Sequence, residues 1–229
     1  MKAIILAAGK ATRLLPLTKD TPQCLLKVKD KTILEHQLDL IKNSKLDDVA
    51  VVSGYLGRDV EKYCKKLGIK VLINPFYDVS GMAMTLWVVR DELKKGFTFL
   101  YSDILFDSKV IDELLKSKSD ICLAIKKNSL REEAERVIEK DGKIEKVSKP
   151  KLEGENGEFV GIAKFSEQGA KRLIEELDKV ARENINLSFI GVIDNLIGQG
   201  ESISAYDIKD SKFIDIDFPD DLKKAEKLI

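Results

Sequence analysis

At 229 residues, with 39 Lys plus Arg against 39 Asp plus Glu, the chain suits a single domain over 1–229 with a sizeable core, and it has no net charge to draw nucleic acid or an anionic membrane. The charged fraction of 34% describes a well-solvated surface, no apolar run reaches spanning length, and the first run, Ala3 to Ala8, is too short for a signal-peptide core. Cys24, Cys64 and Cys122 are scattered, which reads as free thiols in a reducing cytoplasm and lacks the spacing of a metal site.

Ala3 to Ala8 has the length of a buried strand and stops at Gly9. The loop Gly9-Lys10-Ala11-Thr12-Arg13 that follows is too basic and hydroxyl-rich to be core. Leaving a buried parallel strand, such a loop can turn its backbone N–H groups on a phosphate, with Arg13 adding charge where a triphosphate would lie. It is not a Walker A loop, which needs a second glycine followed by Lys and Ser or Thr. Nor is it a dinucleotide fingerprint, since positions 11 and 14 are Ala11 and Leu14.

Thr32-Ile33-Leu34-Glu35 has the form of a capping box, and Ile33, Leu34, Leu38 and Ile41 give the helix after it an apolar stripe. A strand over 48–53 ends at Gly54-Tyr55. A helix over 57–67 stops at Gly68, and a strand covers 69–73. This alternation predicts an α/β fold, a doubly wound, Rossmann-like, mostly parallel sheet. After the turn-rich segment 74–81, a helix is expected over 82–95 and a buried strand over 97–101, ending at Ser102-Asp103. Asp107 or Ser108 would cap the next helix, and 121–125 is another strand.

Asp141-Gly142 between alternating runs signals a hairpin, read as a small antiparallel insertion and not as a second domain. A strand over 159–165 and an amphipathic helix through Ala170, Leu173, Ile174, Leu177 and Ala181 follow. The apolar stretch 184–199 reads as a helix that is either deeply packed or at an interface, so a homo-oligomer stays open. Late strands cover 203–206 and 213–216, and Pro219 opens a last helix.

Asp103 ends a strand at the carboxyl edge of the sheet, where ligands gather in open α/β folds. Asp217 ends another. The plain reading is that each caps the element after it. The other is that they converge, and Mg²⁺, which takes one or two carboxylates with phosphate oxygens and water, offsets their repulsion. His36, the only histidine, reads as a packed or surface residue.

Leu6-Ala7-Ala8-Gly9-Lys10-Ala11-Thr12-Arg13-Leu14-Leu15-Pro16-Leu17-Thr18, then Pro22-Gln23, resembles the signature of the sugar-phosphate nucleotidylyltransferases, L-A-A-G-x-G-x-R-L-x-P-L-T-x-x-x-P-K. It departs at Ala11, usually glycine, and at Gln23, usually lysine. The resemblance implies nucleotide contacts from Leu6 through Thr12 and at Gln23, with Arg13 on phosphate. It also implies base recognition around Gly54 and Gly81, for which a plain turn glycine is the competing reading. In the family, one metal aspartate follows the fourth strand and a second lies in E/D-I-D-T-P-E-D-L; Asp103 and Asp217 fill these places, and Asp215 has the weaker claim. Val147-Ser148-Lys149-Pro150 resembles the E-K-P element, whose lysine reaches the acceptor phosphate, with Ser148 in place of the glutamate. Glu158-Phe159-Val160-Gly161-Ile162 resembles the strand that lines the acceptor, with Gly161 allowing close approach.

Tyr77 through Trp87, together with Asp103-Ile104-Leu105-Phe106-Asp107, resembles the phosphocholine cytidylyltransferase group, which implies CTP and a small phospho-alcohol. Trp87 stands at helical spacing from Ala83 and Met84, a core pattern. The alternative is that it joins Tyr77 and Tyr55 in a cage for a quaternary ammonium. Competing with a Mg²⁺-dependent cytidylyltransferase are a uridylyl- or thymidylyltransferase for a sugar-1-phosphate and a catalytically silent nucleotide-binding homologue, the latter motivated by Ala11 and Gln23.

Overall fold

The strand expected at the start of the chain is β1 (Lys2–Ala7) in a computed structural model that describes residues 1–228. Ile229, the last position of the domain expected over 1–229, lies outside the described residues. Successive side chains of β1 go to opposite faces: Ala3, Ile5 and Ala7 join one apolar cluster, Ile4 and Leu6 another. A strand covered on both faces reads as an unbroken apolar run, which is why this one was legible.

A short hairpin, β2 (Lys27–Val28) with β3 (Lys31–Thr32), leads into α1 (Ile33–Lys42). The capping box is present: Glu35 N–H donates to Thr32 Oγ1, and Thr32 N–H donates to the Glu35 carboxylate. Then follow β4 (Asp48–Ser53), α2 (Gly57–Lys66), β5 (Lys70–Ile73), α3 (Met82–Val88), β6 (Phe97–Tyr101), β7 (Ile104–Phe106), α4 (Lys109–Leu115) and β8 (Ile121–Lys127). The chain continues with β9 (Glu135–Lys140), β10 (Lys143–Ser148), β11 (Gly157–Phe165), α5 (Glu167–Glu183), α6 (Phe189–Gly198), β12 (Ser204–Asp207), β13 (Phe213–Asp215) and α7 (Pro219–Leu228).

The nine-stranded sheet runs β5-β4-β1-β6-β11-β8-β12-β10-β9, with β11 and β10 directed against the rest. It is the expected doubly wound, mostly parallel sheet. The insertion is the hairpin β9–β10, whose turn residues Asp141 (φ 50°) and Gly142 (φ 79°) both take positive φ. α3, α5 and α6 cover one face of the sheet, and α1, α2 and α4 cover the other. A third, smaller cluster joins Leu14 of the first loop to Ile33, Leu105, Ile216 and Ala225 of α7, so the C-terminal segment packs against the N-terminal loop.

Several boundaries differ from expectation. The helix expected over 82–95 ends at Val88, and a 3-10 turn, Arg90–Glu92, follows. Leu86, Val89 and Leu93 are all buried, so the apolar spacing persists through the change of helix type. The helix expected over 184–199 starts at Phe189, where the Ser188 hydroxyl accepts from Gly191 N–H. Its Phe189, Ile190, Val192, Ile193 and Leu196 are buried within the chain, which settles the alternative in favour of packing. Ser108 precedes α4 without a side-chain cap, and Asp107 instead accepts from Lys212 N–H at 2.8 Å. Among the described residues no helix is long and apolar enough to cross a membrane, and Cys24, Cys64 and Cys122 are buried and free.

Candidate active site

The loop after β1 turns at Ala11, which adopts a left-handed conformation (φ 47°, ψ 51°). Its carbonyl accepts from Leu14 N–H at 3.0 Å and from Thr18 Oγ1 at 2.9 Å, while Leu14 is fully buried below it. Among the described residues no protein acceptor takes the amides of Gly9, Lys10 or Ala11. The loop is thus anchored by its carbonyl side with amides to spare. Lys10 pairs with Asp78, and Arg13 pairs with Asp217 and, at 2.8 Å, with Glu133. Ala7 packs into the core on the α1 side and Thr12 opens a 3-10 turn; neither lines a cavity of the site.

Asp103 follows β6. The antiparallel pairing of β13 with β7 sets Asp215 opposite Ile104, and Ile216 N–H donates to the Asp103 carbonyl at 2.9 Å. This ties the C-terminal segment to the middle of the chain. Asp215 and Asp217, two positions apart on an extended segment, then share a side. One carboxylate oxygen from each of Asp103, Asp215 and Asp217 lies within 4.8 Å of the others. Asp103 Oδ1 is buried without a hydrogen-bond partner.

Burial, then the charges of Asp215 and Asp217, push the Asp103 carboxyl well above the usual carboxylate range. Asp215 is pushed up to about 6 by burial and by Asp217, and Asp217 is raised chiefly by burial against the lowering effect of Arg13. Crowded carboxylates with an unpartnered buried oxygen suit a hard divalent cation with oxygen ligands. Gln23 lies alongside, its Nε2 donating to the Ile216 carbonyl at 2.7 Å.

These groups line a cavity of about 260 Å³, whose wall also includes Tyr101, Arg131, Glu133, Glu135, Lys149, Phe159 and Gly161. Tyr101 donates its hydroxyl to Glu135 at 2.9 Å, and burial pushes the Glu135 carboxyl up to about 7. Gly161 has φ 81°, and a Cβ there would lie 2.8 Å from the Tyr101 ring, so glycine is required on both counts. Lys149 Nζ donates to the Glu133 carbonyl at 2.5 Å.

A second cavity of about 140 Å³ adjoins through Leu6, Gly9 and Met82, lined further by Ala8, Tyr77, Ser80, Gly81 and Thr85. Gly54 lets Tyr77 close over the loop, since a Cβ there would sit 2.5 Å from the Tyr77 Cβ. Tyr55 and Tyr77 meet edge to face, with ring centroids 6.4 Å apart.

Trp87 and Glu158, expected among the acceptor-binding residues, lie outside both cavities, as do Lys10, Ala11 and Gly54. Trp87 is not brought to either cavity: its Nε1–H donates to Asp178 of α5 at 2.8 Å and Arg90 stacks on its ring at 4.1 Å, so it joins α3 to α5 and forms no cage. Glu158 is fully buried and does not line the cavity; it accepts from Arg131 Nε and Ser129 Oγ behind the wall. The sequence reading passed over Arg131, Glu133 and Glu135, which sit in an aperiodic charged stretch, and it gave the weaker claim to Asp215, which the structure clusters with Asp103 and Asp217. For Asp215 the two-residue spacing to Asp217 was an available signal.

A profile for MobA-like NTP transferase domains matches residues 3–180. The CTP:phosphoglutamine cytidylyltransferase of Campylobacter jejuni subsp. jejuni is 28% identical, covering 97% of this chain and 98% of that one. The choline-phosphate cytidylyltransferase of Streptococcus pneumoniae is 24% identical, covering 100% and 98%. Among solved structures, the inositol-1-phosphate CTP transferase from T. maritima superposes with a TM-score of 0.85 at 21% identity, covering 99% of this chain and 94% of that one, which shows the shared fold. The resemblance carried by the first loop is thereby borne out for family and fold.

Proposed function

The chain belongs to the family of MobA-like NTP transferase domains and is a nucleotidyltransferase; on that premise we propose that it is a Mg²⁺-dependent cytidylyltransferase. It would join the CMP part of CTP to a small phosphate-bearing acceptor and release pyrophosphate. The observation that carries this reading is the unpartnered Asp103 Oδ1 among three clustered carboxylates, in one cavity with Gly9 and Arg13 of the phosphate loop.

The acceptor brings its own nucleophile. A phosphate monoester, with a second pKa of about 6, is mostly dianionic at neutral pH. Its oxygen forms a bond to the α-phosphorus of CTP while the bond from that phosphorus to the α–β bridging oxygen breaks, and the electron pair leaves with pyrophosphate. No protein base is needed, and His36 is engaged elsewhere, on the Val28 carbonyl at 2.9 Å. The work of the chain is positioning and charge stabilisation. The amides of Gly9, Lys10 and Ala11 and the Arg13 guanidinium hold the triphosphate, Arg13 exchanging Asp217 and Glu133 for phosphate oxygens. Lys149 holds the acceptor phosphate. Asp103, Asp215 and Asp217 would hold Mg²⁺, which when bound offsets the negative charge that gathers on the phosphates.

Two relatives named for CTP support the choice of nucleotide, and the small second cavity suits a single-ring base better than a purine. Their acceptors differ, so the acceptor is left at phosphate-bearing here. The buried free thiols are in keeping with a reducing cytoplasm.

The test is pyrophosphate release with CTP, UTP, dTTP, ATP and GTP against a panel of phosphorylated alcohols, amines and sugars. CTP is expected to give the highest kcat/KM, and Asp103→Asn is expected to lower kcat by at least about a hundredfold. Preference for UTP or dTTP would move the enzyme to the uridylyl- or thymidylyltransferases. Turnover near wild type in Asp103→Asn with Mg²⁺ present would remove the metal assignment.

A further inference from the structure

We propose that Arg131, oriented by the buried Glu158, selects acceptors that carry a carboxylate in addition to their phosphate. This rests on the nucleotidyl-transfer reading above and names the substrate class of the same site.

Three cations line the 260 Å³ cavity of the site, Arg13, Lys149 and Arg131. Arg13 belongs to the triphosphate loop, and Lys149 to the acceptor phosphate. Arg131 is left over, and it is the most deliberately held. Its anchor, Glu158, is fully buried and accepts from Arg131 Nε at 3.1 Å, from Arg131 N–H at 3.3 Å and from Ser129 Oγ at 2.9 Å. Burying a carboxylate is costly unless it is paired and hydrogen-bonded, so the arrangement spends stability to fix one edge of a guanidinium. The flat face rests on the Phe213 ring, 4.8 Å from its centroid. The nearest anion to the other edge is Asp215, whose Oδ2 lies 3.6 Å from Nη1, beyond hydrogen-bond reach.

Among the described residues the N–H donors on Nη1 and Nη2 therefore have no acceptor at hydrogen-bond distance, and Arg131 borders the cavity. A guanidinium edge held this way matches a planar anion with two oxygens, the geometry of a carboxylate. The cavity holds no aromatic cage for a methylated ammonium: its aromatic residues are Phe159, 3% exposed, and Tyr101, while Trp87 lies elsewhere.

The simpler role for Arg131 is to balance the charge of Asp215, and the test separates the two. Glycerol 3-phosphate is compared with 3-phosphoglycerate, in which a carboxylate replaces the hydroxymethyl group, and ethanolamine phosphate with O-phosphoserine, which adds a carboxylate. Binding is read by titration calorimetry with Mg²⁺ and a non-hydrolysable CTP analogue, and turnover by pyrophosphate release. The carboxylate-bearing member of at least one pair is expected to bind roughly tenfold to a hundredfold more tightly, the range for a hydrogen-bonded charge pair. Arg131→Lys keeps the charge beside Asp215 but not the fork, and is expected to lose most of that ratio. The double variant Arg131→Gln with Glu158→Gln, which leaves no buried carboxylate unpaired, is expected to lose all of it. A wild-type ratio near one in both pairs, or a ratio kept in Arg131→Lys, overturns the assignment. A full binding ratio without pyrophosphate release from any nucleotide would strike the transferase reading and leave Arg131 standing. A flat ratio with brisk release would strike Arg131 alone.

Discussion

Ala11 turns the phosphate loop through a left-handed conformation, with its methyl packed against the cluster around Leu14. An L-residue there costs roughly 1–2 kcal/mol, and glycine would recover part of that while losing about 0.5–1 kcal/mol through its freer unfolded chain. Ala11→Gly is therefore expected to be neutral or stabilising by up to about 1 kcal/mol in urea denaturation, with turnover retained. A clear loss of stability would mean that the methyl contact outweighs the backbone strain. The other departure from the resembled motif, Gln23, also has a place: its amide holds the Ile216 carbonyl, one residue before Asp217. At this scale the sequence made Arg13, Asp103 and Asp217 visible because each sits in or next to a motif of fixed order. Arg131 and Glu135 were not visible, because what makes them part of the site is a contact with Glu158 or Tyr101, distant in sequence and on other strands. For Trp87 the helical spacing from Ala83 and Met84 already pointed to a packed role, and its indole N–H is satisfied by Asp178.

Among the elements, the start of α3 depends on a single glycine. Gly81 precedes it, with its N–H donating to the Ile185 carbonyl at 2.8 Å, and Ala83 N–H donates to the Leu187 carbonyl at 3.1 Å. The start of α3 thus docks on the backbone before α6. A Cβ at Gly81 would fall 2.4 Å from the Asn186 carbonyl oxygen, and backbone cannot step aside as a flexible side chain can. Gly81→Ala is expected to push this end of α3 away, enlarge the small cavity and raise KM for the nucleotide more than it lowers kcat; equal KM in the variant would separate Gly81 from base recognition. Elements of strong period were legible: β1, α1 with its capping box, the α5 stripe and the β9–β10 hairpin with Asp-Gly. Two- and three-residue strands such as β2, β3 and β7 carry too few alternations to show a period. The 3-10 turn after Val88 was hidden because Val89 and Leu93 go on facing the core at nearly helical spacing. Ser188 was an available start signal within the overlong helix expected over 184–199, since its hydroxyl caps the N-terminus of α6.

Across the whole molecule, the sheet order brings loops from the beginning, middle and end of the chain to one edge, and the third apolar cluster clamps them there. The consequence is a concentration of negative charge that folding alone does not offset. Asp215 rises to about 6 and Asp103 is held well above the usual carboxylate range, each because burial and the neighbouring aspartates disfavour the charged form. An unfolded aspartate has a pKa of about 3.9. A carboxyl that is raised on folding binds its proton more tightly in the folded state, so its contribution to stability is full below about pH 4 and is lost as pH rises through about 6 and beyond. A divalent cation held by the deprotonated cluster, as proposed above, would act in the opposite sense and stabilise the folded state by mass action. The difference between Tm in saturating Mg²⁺ and Tm in EDTA should therefore be small near pH 5, grow through about pH 6 and be largest near pH 8. In Asp103→Asn the difference should shrink at every pH, and the EDTA-treated variant should be at least as stable as the wild type above about pH 7, since one member of the repelling cluster is gone. A Mg²⁺ effect that is independent of pH, or that persists unchanged in Asp103→Asn, would place the cation elsewhere on the molecule and leave the cluster without its counter-charge.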